Sequence, residues 1–334
     1  MLKQRRNRIL VLCRVGVFSM IAIRGLLGAE TGEAAPVHPV GREDSAPLPR
    51  RPVESMLETQ VELHRRGFSC GSIDGVGGAQ TAAALAAFQR AMGIRDSGIL
   101  NEETKSRLTL AVPALDTYSL TATDVAGLHA VPETWLEKSE LPALRYATAV
   151  ELVAERFHAH PNLIRKLNPD VNWSAILLGA KIVVPGADHV VIDGVPNQLV
   201  ISLSEHQLEV VDENSRVIAH FPVSIARMVE KRPVGQLQVT VVIPDPNYTF
   251  DPELFPESAE GKVLNRRLTI PPGPNNPVGL VWIGLNLPGY GIHGTPEPEK
   301  IGRTESHGCF RLANWDALTL AGLVKVGTPV IVEP

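Results

Sequence analysis

Near the C-terminus, the stretch GIHGTPEPEKIGRTESHGCFRL, residues 291–312, sets His293 sixteen positions and His307 two positions before Cys309. A thiol attacks a carbonyl as thiolate, and at an ordinary pKa of ~8.5 only a few per cent of it is ionised at neutral pH. An imidazole within hydrogen-bond reach takes the proton and later returns it to a leaving amine. N–H donors must then hold the tetrahedral oxyanion. The stretch supplies each type. Gly308 leaves the approach to sulfur uncrowded, and the N–H groups of Gly308 and Cys309 could converge on one oxygen. Gly291 and Gly294 flank His293 and leave room for substrate, while Ile292 faces away. His307 is close in sequence but poorly placed to reach the thiol. Other readings use the same residues. Ser-His-Gly-Cys alone also suits a turn that buries a structural thiol. Zinc is disfavoured, because His-x-Cys is a poor ligand spacing and no fourth ligand is evident.

These residues need a scaffold, and 334 residues allow two or three compact units. Hydrophobic residues make up 44% and charged ones 20%, enough to build cores. The formal charge of −4 gives no basic footprint for nucleic acid. The N-terminus joins a basic head, MLKQRRNR, to an apolar run ending near Ala29, the pattern of an export signal over residues 1–29. Arg14 and Arg24 interrupt that run, and an arginine at a membrane centre costs about 2.5–3.5 kcal/mol, which argues against a span. Export points to the periplasm or cell wall, and loss of the six cations of residues 1–29 leaves a net charge near −10. Of the three cysteines, Cys13 would leave with the signal. Cys70 and Cys309 fall in segments that read as separate domains, so no bridge between them is expected.

Residues 30–52 are rich in Pro, Gly, Ala and charge and read as a linker. Residues 53–111 carry three helical patterns: VESMLETQVELHRRGF, AQTAAALAAFQRAM, and a third that opens on Asn101 as N-cap and runs through Leu108 to Ala111. Residues 112–142 read as a connector that packs against its neighbours. Residues 143–186 give two helices and a strand, KIVVP, with His158 and His160 as exposed helix-end side chains rather than metal ligands. Residues 188–334 consist mainly of β-branched runs, HVVIDGV among them, with one clear helix in NWDALTLAGLV. The fold class expected is multidomain α+β.

Three family resemblances follow. Asp74-Gly75, Gly78, Thr81, Ala84-Leu85, Phe88-Gln89, Gly98 and Thr104 make residues 53–111 similar to the peptidoglycan-binding type 1 family, which implies a three-helix wall-binding domain. VAERF, LIRKLNPDV and GAKIVVP resemble a LysM repeat, implying a small βααβ unit. The Gly-Asp-Thr usual near the start of that repeat is absent. His293-Gly294-Thr295, then Ser306-His307-Gly308-Cys309 and Arg311, with RPVGQLQV upstream and RLANWDALTLAGLVKVGTPVIV downstream, resemble the L,D-transpeptidase catalytic domain. That resemblance implies a mostly β, sandwich-like domain with Cys309 as nucleophile and His293 as general base and acid. It implies oxyanion, structural or substrate-contacting roles for Gly294, Thr295, Ser306, His307, Gly308 and Arg311. The implied donor is a peptidoglycan tetrapeptide stem and the acceptor an amine, of another stem or of a protein to be anchored, with no metal or organic cofactor. Hydrolysis of the same thioester (an L,D-carboxypeptidase) and wall binding without turnover remain as alternatives.

Overall fold

A computed structural model describes residues 49–254, 258–303 and 308–334. The expected export signal, most of the linker, Ser306 and His307 lie outside the described residues. The first part comprises β1 (Arg51–Pro52), α1 (Met56–Arg65), α2 (Ala79–Ala91), α3 (Glu102–Arg107) and β2 (Thr109–Leu110). Ser55 caps α1 by accepting from the N–H of Glu58, and Asn101 caps α3 by accepting from Thr104. The third helix is shorter than expected. Leu108 and Leu110 are both buried, a period of two, and the chain leaves the helix so that β2 can pair antiparallel with β1. Two buried glutamines tie the loops. Gln60 Nε2 donates to Asp74 Oδ1 and Val76 O, both at 2.9 Å, and its Oε1 accepts from Gly75 N–H at 2.7 Å. Gln89 does the same for Ile99 O, Thr104 Oγ1 and Gly98 N–H. Five of the family hallmarks, Asp74, Gly75, Gln89, Gly98 and Thr104, thus hold the loops together by satisfying buried amides.

The second part comprises β3 (Leu115–Ser119), α4 (Ala122–Ala126), α5 (Trp135–Glu140), α6 (Ala149–Arg156), α7 (Pro161–Leu167) and β4 (Lys181–Pro185). β3 and β4 pair antiparallel over five residues, so the partner of KIVVP sits in the stretch read as a connector. Thr148 and Glu151 form a capping box on α6, and Pro161 opens α7.

The third part holds β5 (Gln198–Ser202), β6 (Gln207–Val211), β7 (Val217–Pro222), β8 (Gly235–Pro244), β9 (Tyr248–Phe250), α8 (Ala259–Leu264), β10 (Leu268–Ile270), β11 (Val281–Leu285), β12 (Gly291–His293), β13 (Phe310–Arg311), α9 (Asn314–Leu323) and β14 (Pro329–Glu333). Eight strands form one sheet in the order β13-β12-β11-β8-β14-β5-β6-β7. Ser224, just past β7, pairs with Arg311 of β13 through two 2.9 Å backbone hydrogen bonds. The two ends of the sheet therefore meet, and the sandwich-like shape arises from a single sheet curled over Leu199, Ile201, Val239, Ile283, Val330 and their neighbours. The run HVVIDGV forms no strand. Val191 and Val195 are 62% and 80% exposed, and β-branched residues stay extended in a sheet only where a half-buried surface receives them.

The parts do not hang as separate beads. The first two share one core, in which Phe68 meets Phe88 edge-on and Tyr118 tilts against Phe157. Val211 and Val217 of the sheet join it. Phe68 also pairs with His220 on β7: Ser69 N–H donates to His220 O at 2.8 Å and His220 N–H to Gly67 O at 2.9 Å, which covers an edge strand. Arg90 pairs with Glu209, and Ser69 Oγ donates to Asp316 Oδ2 at 2.9 Å. Cys70 is buried in this shared core, and no disulfide joins it to Cys309. His158 is not exposed as expected. It turns left-handed at φ 55° and stacks on Trp315 of α9 with ring centroids 5.3 Å apart. His160 caps α7, its Nδ1 accepting from Asn162 N–H.

Burial raises the Asp316 carboxyl to about 8. An acid that binds its proton more tightly when folded costs stability progressively as pH climbs from the ordinary carboxylate range, about 4, towards that value. Asp316→Asn keeps an acceptor for Ser69. It is predicted to match or fall below the parent in melting temperature at about pH 4 and to gain on it steadily up to about pH 8. Parallel thermal melts would show this; a difference independent of pH would contradict the assignment.

Candidate active site

β12 and β13 run parallel, with Ile292 opposite Phe310 and His293 opposite Arg311. Strand alternation sends Ile292 and Phe310, 0% and 1% exposed, into the core. His293, Arg311 and Cys309 then share the other face. Cys309, two positions before Arg311, stands diagonal to His293 in this register. Both line a cleft of about 690 Å³ together with Trp135, Tyr248, Trp282 and Arg311.

His293 is 5% exposed. Its Nδ1 hydrogen is donated to Gly294 O at 2.7 Å, which makes Nε2 the acceptor nitrogen of the neutral ring. Trp282, opposite His293 across the β11–β12 ladder, stacks on the imidazole at 5.6 Å with planes 19° apart. Loss of water pushes this histidine down to about 4, with the Arg311 charge acting in the same direction against the Gly294 hydrogen bond. Cys309 is pushed up from the ordinary thiol range, again first by burial, while the Gly291 N–H and Arg311 pull the other way. Its Sγ donates to Gly289 O at 3.5 Å. At rest the site therefore holds a neutral thiol and a neutral imidazole. The cleft is one-sided in charge. Lys231 and Arg311 line it, and no acidic residue does among the described residues.

The sequence-predicted residues divide. Cys309, His293, Gly308 and Arg311 meet at the cleft. Among the described residues, a Cβ on Gly308 would find no atom nearer than Tyr290 Cε1 at 3.9 Å, its chain neighbours aside. Gly291 and Gly294 do not make room for substrate. A Cβ on Gly291 would lie 2.5 Å from the Trp282 ring, and one on Gly294 would lie 2.1 Å from Asn314 Oδ1. Thr295 is buried outside the cleft lining, its Oγ1 accepting from Glu297 N–H. Ser306 and His307 lie outside the described residues. The sequence reading missed Trp282, Tyr248, Lys231 and Trp135. Alternation along VWIGL would have placed Trp282 on the face opposite Val281 and Ile283. No local signal links Trp135, from the presumed connector, to this site. Trp135 arrives because its ring stacks on Phe250 at 4.5 Å while the N–H groups of Trp135 and Leu136 each donate to Glu260 at 2.8 Å.

A curled sheet brings Cys309 and His293 into one cleft, and comparison with known proteins shows what the parts of the chain resemble. Residues 196–332 match the L,D-transpeptidase catalytic domain, and residues 53–108 match a "Putative peptidoglycan binding domain". The chain is 28% identical over 185 residues to the "Putative L,D-transpeptidase YkuD" of Bacillus licheniformis, covering 55% of this chain and 93% of that one. It is 26% identical over 181 residues to the protein of the same name in Bacillus subtilis, covering 54% and 91%. A solved L,D-transpeptidase from Mycobacterium smegmatis is 19% identical, with a TM-score of 0.33 over 48% of this chain and 65% of that one. Residues 196–332 are thus similar to the L,D-transpeptidase catalytic domain and residues 53–108 to a putative peptidoglycan-binding domain.

A preformed thiolate–imidazolium pair would make the thiol reactive well below pH 7. The neutral pair described above predicts instead that iodoacetamide labelling of the Cys309 peptide climbs steadily from about pH 6 to about pH 9. Mass spectrometry of the timed reaction reads this directly; a rate already level below about pH 7 would contradict the assigned protonation states.

Proposed function

We propose that this chain is an exported, cysteine-dependent L,D-transpeptidase that acts on peptidoglycan stem peptides in the periplasm or cell wall. The observation that carries the reading is the shared face of β12 and β13, with Cys309 and His293 in one cleft and Nε2 as the acceptor nitrogen. Sγ attacks the carbonyl carbon of the third residue of a tetrapeptide stem as its proton passes to His293 Nε2. The N–H groups of Gly308 and Cys309 receive the oxyanion. Collapse breaks the bond to the terminal D-alanine, whose amine takes the proton from the imidazolium and leaves behind a thioester on Cys309. An acceptor amine then attacks the thioester, passes its proton through His293 and expels the thiolate, which is reprotonated. A new amide forms and the enzyme returns to its starting state.

The cationic lining suits this substrate. Stem peptides carry carboxylates, and a guanidinium can take one with two parallel hydrogen bonds, the role proposed for Arg311. Ser306 and His307 are proposed to have structural or substrate-contacting roles. The acidic body of the protein would not adhere to an anionic wall by charge, so the peptidoglycan-binding domain would supply localisation.

Incubation of the full chain with tetrapeptide muropeptides is predicted to release D-alanine and to give cross-linked dimers. Cys309→Ala should lower both by about 10³-fold or more. Mass spectrometry of the products separates the outcomes. Trimmed monomers without dimers would mean hydrolysis rather than transfer, and unchanged turnover in Cys309→Ala would remove the cysteine mechanism altogether.

A further inference from the structure

We propose that Glu155, on α6 between β3 and β4, is a positioning residue for His293, so that the second part of the chain holds the histidine of the curled sheet in place. The inference rests on the Cys309–His293 reading above.

The link runs through Asn314, the fully buried first residue of α9. Its Oδ1 accepts from the N–H of Leu280 at 3.1 Å. The same oxygen lies against two glycines so tightly that a Cβ on Gly279 or Gly294 would come within 2.0 or 2.1 Å of it. Gly294 is the residue whose carbonyl takes the Nδ1 hydrogen of His293. The position of this one amide oxygen therefore sets the seat of the imidazole.

An asparagine amide can be turned over at almost no steric cost, so something must choose its orientation. Asn314 Nδ2 donates to Glu155 Oε1 at 2.9 Å and to Pro274 O at 3.1 Å. Turning the amide over would set its NH₂ against the Leu280 N–H and its oxygen against the Glu155 carboxyl, losing every bond at once. Glu155 is held in turn by the hydroxyl of Tyr146 at 3.1 Å. It is 7% exposed, and burial lifts its carboxyl to about 7, so the fold tolerates a costly acid at this junction. One helical turn earlier, Glu151 Oε1 accepts from Asn275 Nδ2 at 2.6 Å. Two acids on one helix thus grip the 274–280 loop, whose Pro277 and Val278 line the cleft. Neither acid touches the cleft, so substrate contacts should survive their loss.

The test compares the full-length parent with Glu155→Ala, Glu155→Gln and His293→Ala for transfer turnover, with urea melts to confirm folding. Glu155→Gln keeps an Oε1 for Asn314 and Tyr146. Expected are a kcat about tenfold or more lower in Glu155→Ala with KM within about twofold, and recovery to within about threefold of the parent in Glu155→Gln. Should Glu155→Ala not fold, Glu155→Asp withdraws the carboxyl by one methylene at constant charge, and the same kcat loss is expected. Parental kcat in a folded Glu155→Ala, beside an inactive His293→Ala, overturns the positioning role alone. A loss that Glu155→Gln does not recover also overturns it. Full turnover in His293→Ala overturns both this inference and the reading beneath it.

Discussion

Two residues of parallel pairing, Ile292 with Phe310 and His293 with Arg311, decide what this molecule can do. Because side chains alternate along a strand, a shift of one position would turn Cys309 into the core and bring Phe310 to the cleft. Burial enforces the register. Ile292 and Phe310 are both fully inside, and exposing a phenylalanine side chain costs about 1.5–3 kcal/mol. The bridge between Ser224 and Arg311 fixes the same strand from its other side. The closure that finishes the sheet therefore also aligns the thiol with the imidazole.

His293 is buried and Cys309 partly so, and that burial sets the electrostatics of the pair. Burial lowers His293 and raises Cys309, so each group rests in its neutral form. Such a pair separates charge only when a substrate carbonyl and its oxyanion donors can absorb it. A neutral resting thiol also reacts more slowly with adventitious electrophiles. Trp282 against the ring and the Gly294 carbonyl on Nδ1 leave the imidazole one orientation. The first and second parts share a core with each other and hydrogen-bond to the third, and the second supplies Trp135 to the cleft wall. Their relation to the catalytic domain is structural as well as topographic.

Much of this was legible in the residues, and the failures have a common physical origin. Cys309 and His293, singled out by local sequence, do meet at one cleft, Asn101 announced its cap, and NWDALTLAGLV announced its helix. These are local signals. What stayed hidden was every decision made by a distant partner. Leu115–Ser119 becomes a strand because Lys181–Pro185 lies beside it, and HVVIDGV does not because no strand pairs with it among the described residues. Leu108 leaves its helix to satisfy β1. The glycines beside His293 read as room left for substrate, and they are not. Sequence alone could not say that Trp282 and Asn314 fill the space.

The most direct measurement is ¹⁵N NMR of the His293 ring in the folded protein, across pH and before and after alkylation of Cys309. A buried imidazole committed to the Gly294 carbonyl should show Nδ1 protonated and Nε2 bare, titrate only near pH 4, and shift when the sulfur is capped. A ring that titrates near its ordinary value of about 6.5, with mixed tautomers and no response to the modified thiol, would mean that the two groups do not share a site.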